Sequence, residues 1–252
     1  MSPLLFIDQN CAITKIKNFL KRTIPGQASG NLLIEPINTK GFFFDFYLLS
    51  IFRVLNQQNH SMTFEELYNT LTKVDASRES RLECANIVLD DLSLFPKLLD
   101  IVFITNDKVS CRAAWVFEFV CANCLYAIIP HLDNFTSNIN MLRYDSTIRP
   151  VAKVCEFIAK ECTSKQYNTM NKMLLQKHRE QIIEVCFDWL ISDRKIAIKA
   201  YAMTTLFLLG KDYKWVYPEL VQILQQDYQN QSPGFKARAK HILKKINTST
   251  KI

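Results

Sequence analysis

Glycine is scarce in this chain of 252 residues: there are five, and beyond position 41 only Gly210 and Gly234 remain. A fold built on glycine-rich phosphate turns or tight hairpins needs more of them, so neither is expected. Long apolar runs are also lacking. One apolar stretch, FFFDFYLLSIF at Phe42 to Phe52, is broken by Asp45 and falls far short of the roughly 20 residues that cross a bilayer. No membrane partner is expected. The opening MSPLLFIDQNC lacks a basic start and carries Asp8 early, which is not the pattern of a secretory signal. The eight cysteines are therefore expected as reduced thiols, and the expected compartment is the cytoplasm.

Catalytic patterns are missing as well. His60, His131, His178 and His241 are scattered, with no HExxH and no acid or nucleophile at a fixed spacing, so no catalytic residue, cofactor site or metal site is expected. Acidic residues are absent from the C-terminal end. Residues 232–252 hold six Lys/Arg and no Asp/Glu, residues 62–231 hold 19 against 21, and residues 1–61 hold six against three. The net charge of +7 thus gathers at the two ends, so the overall basicity alone does not indicate a nucleic-acid partner.

What is present is helical pattern. MTFEELYNTL begins with Thr63 as a helix cap, Glu66 three residues later closing a capping box, and Met62 with Leu67 placed as a hydrophobic staple. Upstream, residues 1–61 carry turn chemistry at Pro25, Gly26, Gly30 and Pro36 and one short amphipathic piece near Ile13 to Leu20. They read as a weakly specified N-terminal extension or a mis-assigned start, with a helical N-terminal cap as the equal alternative. From Met62 the chain is a succession of helical segments separated by short polar turns, with almost no alternation of period two. The expected class is all-α, with a repeat domain over residues 62–246 and a short polar tail over residues 247–252.

Four of the helices share a register. Val109, Ile148, Ile196 and Phe235 are followed four residues later by Ala113, Ala152, Ala200 and Ala239, then by Val116, Cys155, Met203 and Ile242, and last by Val120, Ala159, Phe207 and Ile246. This i, i+4, i+7, i+11 spacing is one face of a helix, and the recurring alanine predicts a close helix contact. The offsets are 39, 48 and 39 residues. A two-helix unit of that length, with an acidic residue in its turn and a basic residue early in the second helix, resembles HEAT/armadillo repeats. Asp193 with Lys199 and Asp107 with Arg112 carry that pattern; Asp145 stands opposite Val151, and Ser232 opposite Arg238. The resemblance implies a right-handed α-solenoid of about four to five repeats, in which Asp107, Arg112, Asp193 and Lys199 tie neighbouring repeats together. Relatives of this kind are sometimes labelled adenylosuccinate lyase, but the serine-rich, glycine-containing catalytic loop of that enzyme is missing here.

Two local features invite chemistry. The CxxC of Cys121 and Cys124 could be a metal knuckle or a redox pair. It lacks the second ligand pair that structural zinc needs, and it falls at a helix C-terminus, where the dipole disfavours a thiolate. It is read as core filling. Arg112 lies about 60° from the centre of the apolar stripe of its helix and Glu118 about 180° from it, so Arg112 borders the core and needs a partner in Asp107 or the adjacent turn. In SPGFKARAKHILKKI, the residues Lys236, Arg238, Lys240, Lys244 and Lys245 cover the polar side of a helix with no acid to balance them. They are read as the polar outer face of a terminal repeat, or as contacts to phosphate or an acidic protein surface.

The function expected from these readings is a non-enzymatic helical-repeat scaffold that binds a protein partner in its groove. The alternative is a nucleic-acid-binding or DNA-repair protein, since some alkylpurine DNA glycosylases use HEAT-like repeats with a basic concave face. For that reading Lys108, Arg149, Lys153, Lys195 and Lys199 join the C-terminal cations on the groove-lining helices. An adenylosuccinate-lyase-type enzyme is the third reading.

Overall fold

The computed structural model describes residues 62–249, apart from residues 167 and 227. The readings of residues 1–61, and of the last three residues of the tail, lie outside the described residues. All regular structure among the described residues is helical. The α-helices are α1 (Phe64–Leu71), α2 (Arg78–Asp90), α3 (Phe95–Val102), α4 (Val109–Asn123), α5 (Leu132–Asn138) and α6 (Asp145–Cys162), followed by α7 (Thr169–Met173), α8 (Gln176–Ile191), α9 (Ile196–Leu209), α10 (Val216–Gln226) and α11 (Pro233–Ser249). Short 3₁₀ turns join several of them. No single helix among the described residues is long and apolar enough to cross a membrane.

Local chemistry sets the starts. The Thr63 backbone N–H donates to the Glu66 carboxylate at 2.8 Å, and the Glu66 N–H donates to the Thr63 hydroxyl at 3.2 Å, so the capping box forms as the sequence predicts. Ser77 caps α2 through the Ser80 N–H at 3.2 Å. Ser232 accepts the Phe235 N–H at 3.3 Å ahead of Pro233, the first residue of α11. Gly210, in the tight turn from α9 to α10, has a steric reason: a Cβ there would stand 2.6 Å from Val216 Cγ1.

The helices pack as a row, with α2 against α4, α4 against α6, α6 against α9 and α9 against α11. Backing this row, α3 packs on α4, α8 on α9, and α10 on both α9 and α11. The repeated register accounts for three members of the row. Val109, Ala113, Val116 and Val120 of α4, Ile148, Ala152, Cys155 and Ala159 of α6, and Phe235, Ala239, Ile242 and Ile246 of α11 are all buried. Small residues at the alanine step let neighbouring backbones approach.

In α9 the register departs. Ile196 is 38% exposed and Ala200 is half-buried. A stripe two residues later, Ile198, Ala202, Thr205 and Leu209, is fully buried and keeps the same spacing. Thr205 conceals this stripe in the sequence, because its hydroxyl looks polar yet is satisfied at 3.0 Å by the carbonyl of Tyr201 within its own helix. Met203 and Phe207 of the predicted stripe are buried as well. The helix touches α6, α8, α10 and α11, so it must bury more than one stripe.

Candidate functional site

The sequence-predicted residues fall into three groups. Asp107, in the turn before α4, accepts a hydrogen bond from the Tyr68 hydroxyl of α1 and one from the Val109 N–H at 2.9 Å. These bonds, the phenol first, hold its carboxyl below the usual range. Arg112 donates through Nη1 to the Thr72 carbonyl at the C-terminus of α1, an end that attracts cations. Both residues therefore tie α4 to α1, side by side, with no salt bridge between them. Asp193 and Lys199 make no side-chain hydrogen bond or ion pair among the described residues. The tie at that turn is Arg194, whose Nη1 lies 2.9 Å from the Asp145 carboxylate, and the Lys195 N–H reaches the same carboxylate at 3.3 Å. An arginine one residue past the expected acid is thus paired with the first residue of α6.

On α11, Lys236 donates to the Gln229 carbonyl at 2.8 Å, Arg238 faces the Thr204 hydroxyl at 3.4 Å, and Lys245 lies 5.5 Å from the centre of the Phe207 ring. Lys240 and Lys244 are exposed. Lys108 and Lys195 are exposed, and Lys199 half-buried.

Cys121 and Cys124 are both buried. Burial pushes the Cys121 thiol well above its ordinary range, and Cys155 and Cys186 are raised for the same first reason. Among the described residues no group of three His, Cys, Asp or Glu could hold a metal ion. His178, which sequence spacing leaves without a partner, sits 2.7 Å from the Asp133 carboxylate through Nε2, while its Nδ1 accepts the Leu175 N–H at 3.2 Å. Accepting from a backbone N–H fixes the proton on Nε2, so both ring nitrogens are spent on structure.

The concentration of charged chemistry lies elsewhere, along one strip that runs from α2 to α9. The Arg81 guanidinium of α2 stacks 4.7 Å from the centre of Trp115 on α4, and Arg78 lies 5.4 Å from Phe119 one turn on. Trp115 is anchored at its far end: its indole N–H donates to the Ser146 carbonyl at 3.2 Å. That carbonyl is available because the residue four positions on, Pro150, has no N–H to offer it. Glu118, between Trp115 and Phe119, faces Arg149 of α6 at 3.7 Å and has Lys153 and Arg81 as further charged neighbours.

On α6, Glu156 is clamped. Lys153 Nζ is 2.8 Å and Lys160 Nζ 2.7 Å from its carboxylate, whose side chain is only 4% exposed. Lys153 also lies 5.1 Å from the ring centre of Phe157 and 4.7 Å from that of Tyr201 on α9. The two carboxylates respond in opposite directions. Burial pushes the Glu118 carboxyl up and outweighs its cationic neighbours, whereas at Glu156 the same upward push from burial is overcome by the two lysine hydrogen bonds, and its carboxyl falls below the usual range.

Sequence reasoning placed Arg149 and Lys153 on a groove-lining helix but missed Arg78, Arg81, Trp115, Phe119, Glu156 and Tyr201 as one site. Part of the signal was available. Lys153, Glu156 and Lys160 stand at helical spacing with the carboxylate in the middle, and Trp115 with Phe119 is an i, i+4 aromatic pair. Contacts that cross between helices carry no such periodic mark.

The strip offers cations held over rings, the half-buried carboxylate of Glu118 and the buried one of Glu156. It is suited to holding a charged partner. No family model, curated protein or solved structure matches this chain.

Proposed function

We propose that this chain is a non-enzymatic helical-repeat protein, a HEAT-like solenoid, that binds a protein partner along the face of α2, α4, α6 and α9. One observation carries the reading: a continuous strip of cations and aromatic rings crosses four successive helices of the row, with the outer edges of Arg78, Arg149 and Lys160 open to solvent. The Arg149 side chain is 39% exposed and that of Lys160 is 53% exposed. A monomer gains little from holding long cationic side chains over surface aromatics, at about 0.5–1 kcal/mol each, whereas a binding site gains from cations whose rotamers are already restricted. The expected setting is the cytoplasm.

The second reading, nucleic-acid or DNA-repair function, is favoured by α11, where Lys240 and Lys244 stand exposed without acids nearby in sequence. Affinity purification with the tagged chain and a duplex DNA binding assay separate the two. The scaffold reading expects a protein that the wild-type chain retains and the Arg78→Glu/Lys160→Glu variant loses, with no duplex binding at low ionic strength. Partner recovery indifferent to those substitutions, or duplex binding that collapses with added salt, would contradict it. Added adenylosuccinate is expected to remain unconverted.

A further inference from the structure

Resting on that reading, we infer that the occupant of the strip is an extended acidic segment of a partner protein, its carboxylates received by Arg78, Arg149 and Lys160. Charge is the first ground. The strip carries Arg78, Arg81, Arg149, Lys153 and Lys160 against Glu118 and Glu156, so it is cationic although the 62–231 stretch that contains it has more acids than bases.

The second ground separates acidic peptide from nucleic acid. Single strands are held without sequence preference by bases stacking on open aromatic rings, and here a ring face of Trp115, Phe119, Phe157 and Tyr201 is already covered by the protein's own Arg81, Arg78 or Lys153. A base stacking on that face would have to displace a cation. A carboxylate meets no such obstacle at Arg78, which is exposed and carries several N–H donors beside the Phe119 ring. The third ground is the pair of carboxylates set within the strip. An evenly charged phosphate chain must run past Glu118 and Glu156, while a peptide can place uncharged residues opposite them.

The geometry sets a length. Crossing from α2 to α9 covers three helix–helix spacings of about 8–10 Å each, and an extended chain advances about 3.3–3.6 Å per residue. The segment is therefore on the order of eight residues long.

The test uses the full chain and a fluorescein-labelled oligo-glutamate peptide of that length, read by fluorescence anisotropy, with oligo-thymidylate as competitor. Arg149→Gln/Lys160→Gln is expected to weaken peptide binding about tenfold and Arg78→Gln about threefold. Lys240→Gln/Lys244→Gln on α11 is expected to change it less than about twofold. Circular dichroism melting checks that each variant folds, and Arg78→Gln, which touches no carboxylate among the described residues, serves if the α6 variant does not. Peptide binding that depends on the α11 lysines and ignores the strip overturns the inference. So does a failure of oligo-glutamate to bind while strip-dependent partner capture persists, an outcome that leaves the protein-binding reading intact. Tighter binding of oligo-thymidylate, displacing the peptide, overturns both.

Discussion

Two regions of this molecule are basic, and they are basic in different ways. On α11 Lys240 and Lys244 extend into solvent. On the strip from α2 to α9 the principal cations rest on rings or against carboxylates: Arg81 on Trp115, Arg78 on Phe119, Arg149 beside Glu118, and Lys153 between Glu156, Phe157 and Tyr201. Counting charges along the chain points to α11. Counting cations that have already lost their freedom points to the strip. A free lysine must give up rotamer entropy of about 1.5–2 kcal/mol when it binds, and the strip has met much of that cost during folding.

The contrast can be broken by substitution, beginning with the ring at its centre. Trp115→Ala removes the platform under Arg81 and leaves the Ser146 carbonyl without its donor, for an expected loss of about 2–4 kcal/mol in urea denaturation. Lys240→Ala/Lys244→Ala on α11 is expected to change stability by less than about 0.5 kcal/mol. If the two cost the same, the two regions do not differ as described.

Glu156→Gln comes next. It removes the charge that both lysines share, and is expected to cost about 1–3 kcal/mol at neutral pH. Because the folded protein holds this carboxyl below its usual range, the contribution is present above the ordinary glutamate pKa of about 4.3. It fades as pH falls through the depressed value, and wild type and variant should then converge.

Asp107→Ala is expected to lower the melting temperature clearly, by removing both the Tyr68 bond and the bond from the Val109 N–H. Asp193→Ala, at the matching place in the repeat pattern, should cost less than about 0.5 kcal/mol. Differential scanning fluorimetry of the two side by side measures this.

The smallest effect has the opposite sign. Burial raises the Glu118 carboxyl, so ionising it opposes folding near neutrality, and Glu118→Gln is expected to stabilise the protein by up to about 1 kcal/mol. The gain should disappear as pH falls through the raised pKa, because wild-type Glu118 then takes up its proton. A clear loss of stability at pH 7 would mean that the Arg149 pairing outweighs burial.

Much of the helical framework was legible because periodicity and capping are local. The capping box at Thr63 and Glu66, the buried stripes of α4, α6 and α11, and the Ser232–Pro233 start of α11 all follow from residues within a turn or two of each other. Reading failed where a polar residue did a core residue's work, as Thr205 does in α9 by bonding back to Tyr201. It failed again where the partner lay on another helix. Glu118 looks outward on a wheel of α4 alone, but α6 supplies Arg149 and Lys153 beside it, and the side chain is 21% exposed. Arg112 is different: of the two partners expected for it, Asp107 and the adjacent turn, it takes the Thr72 carbonyl in the turn after α1.

The claim that the strip is the partner-binding face is tested most directly by site-specific photo-crosslinking in intact cells. A photoreactive residue is placed in turn at position 78 on the strip and at position 244 on α11. The account predicts a discrete protein adduct from position 78, abolished by Arg149→Gln/Lys160→Gln, and none from position 244. An adduct only from position 244, or nucleic acid joined to position 78, would contradict it.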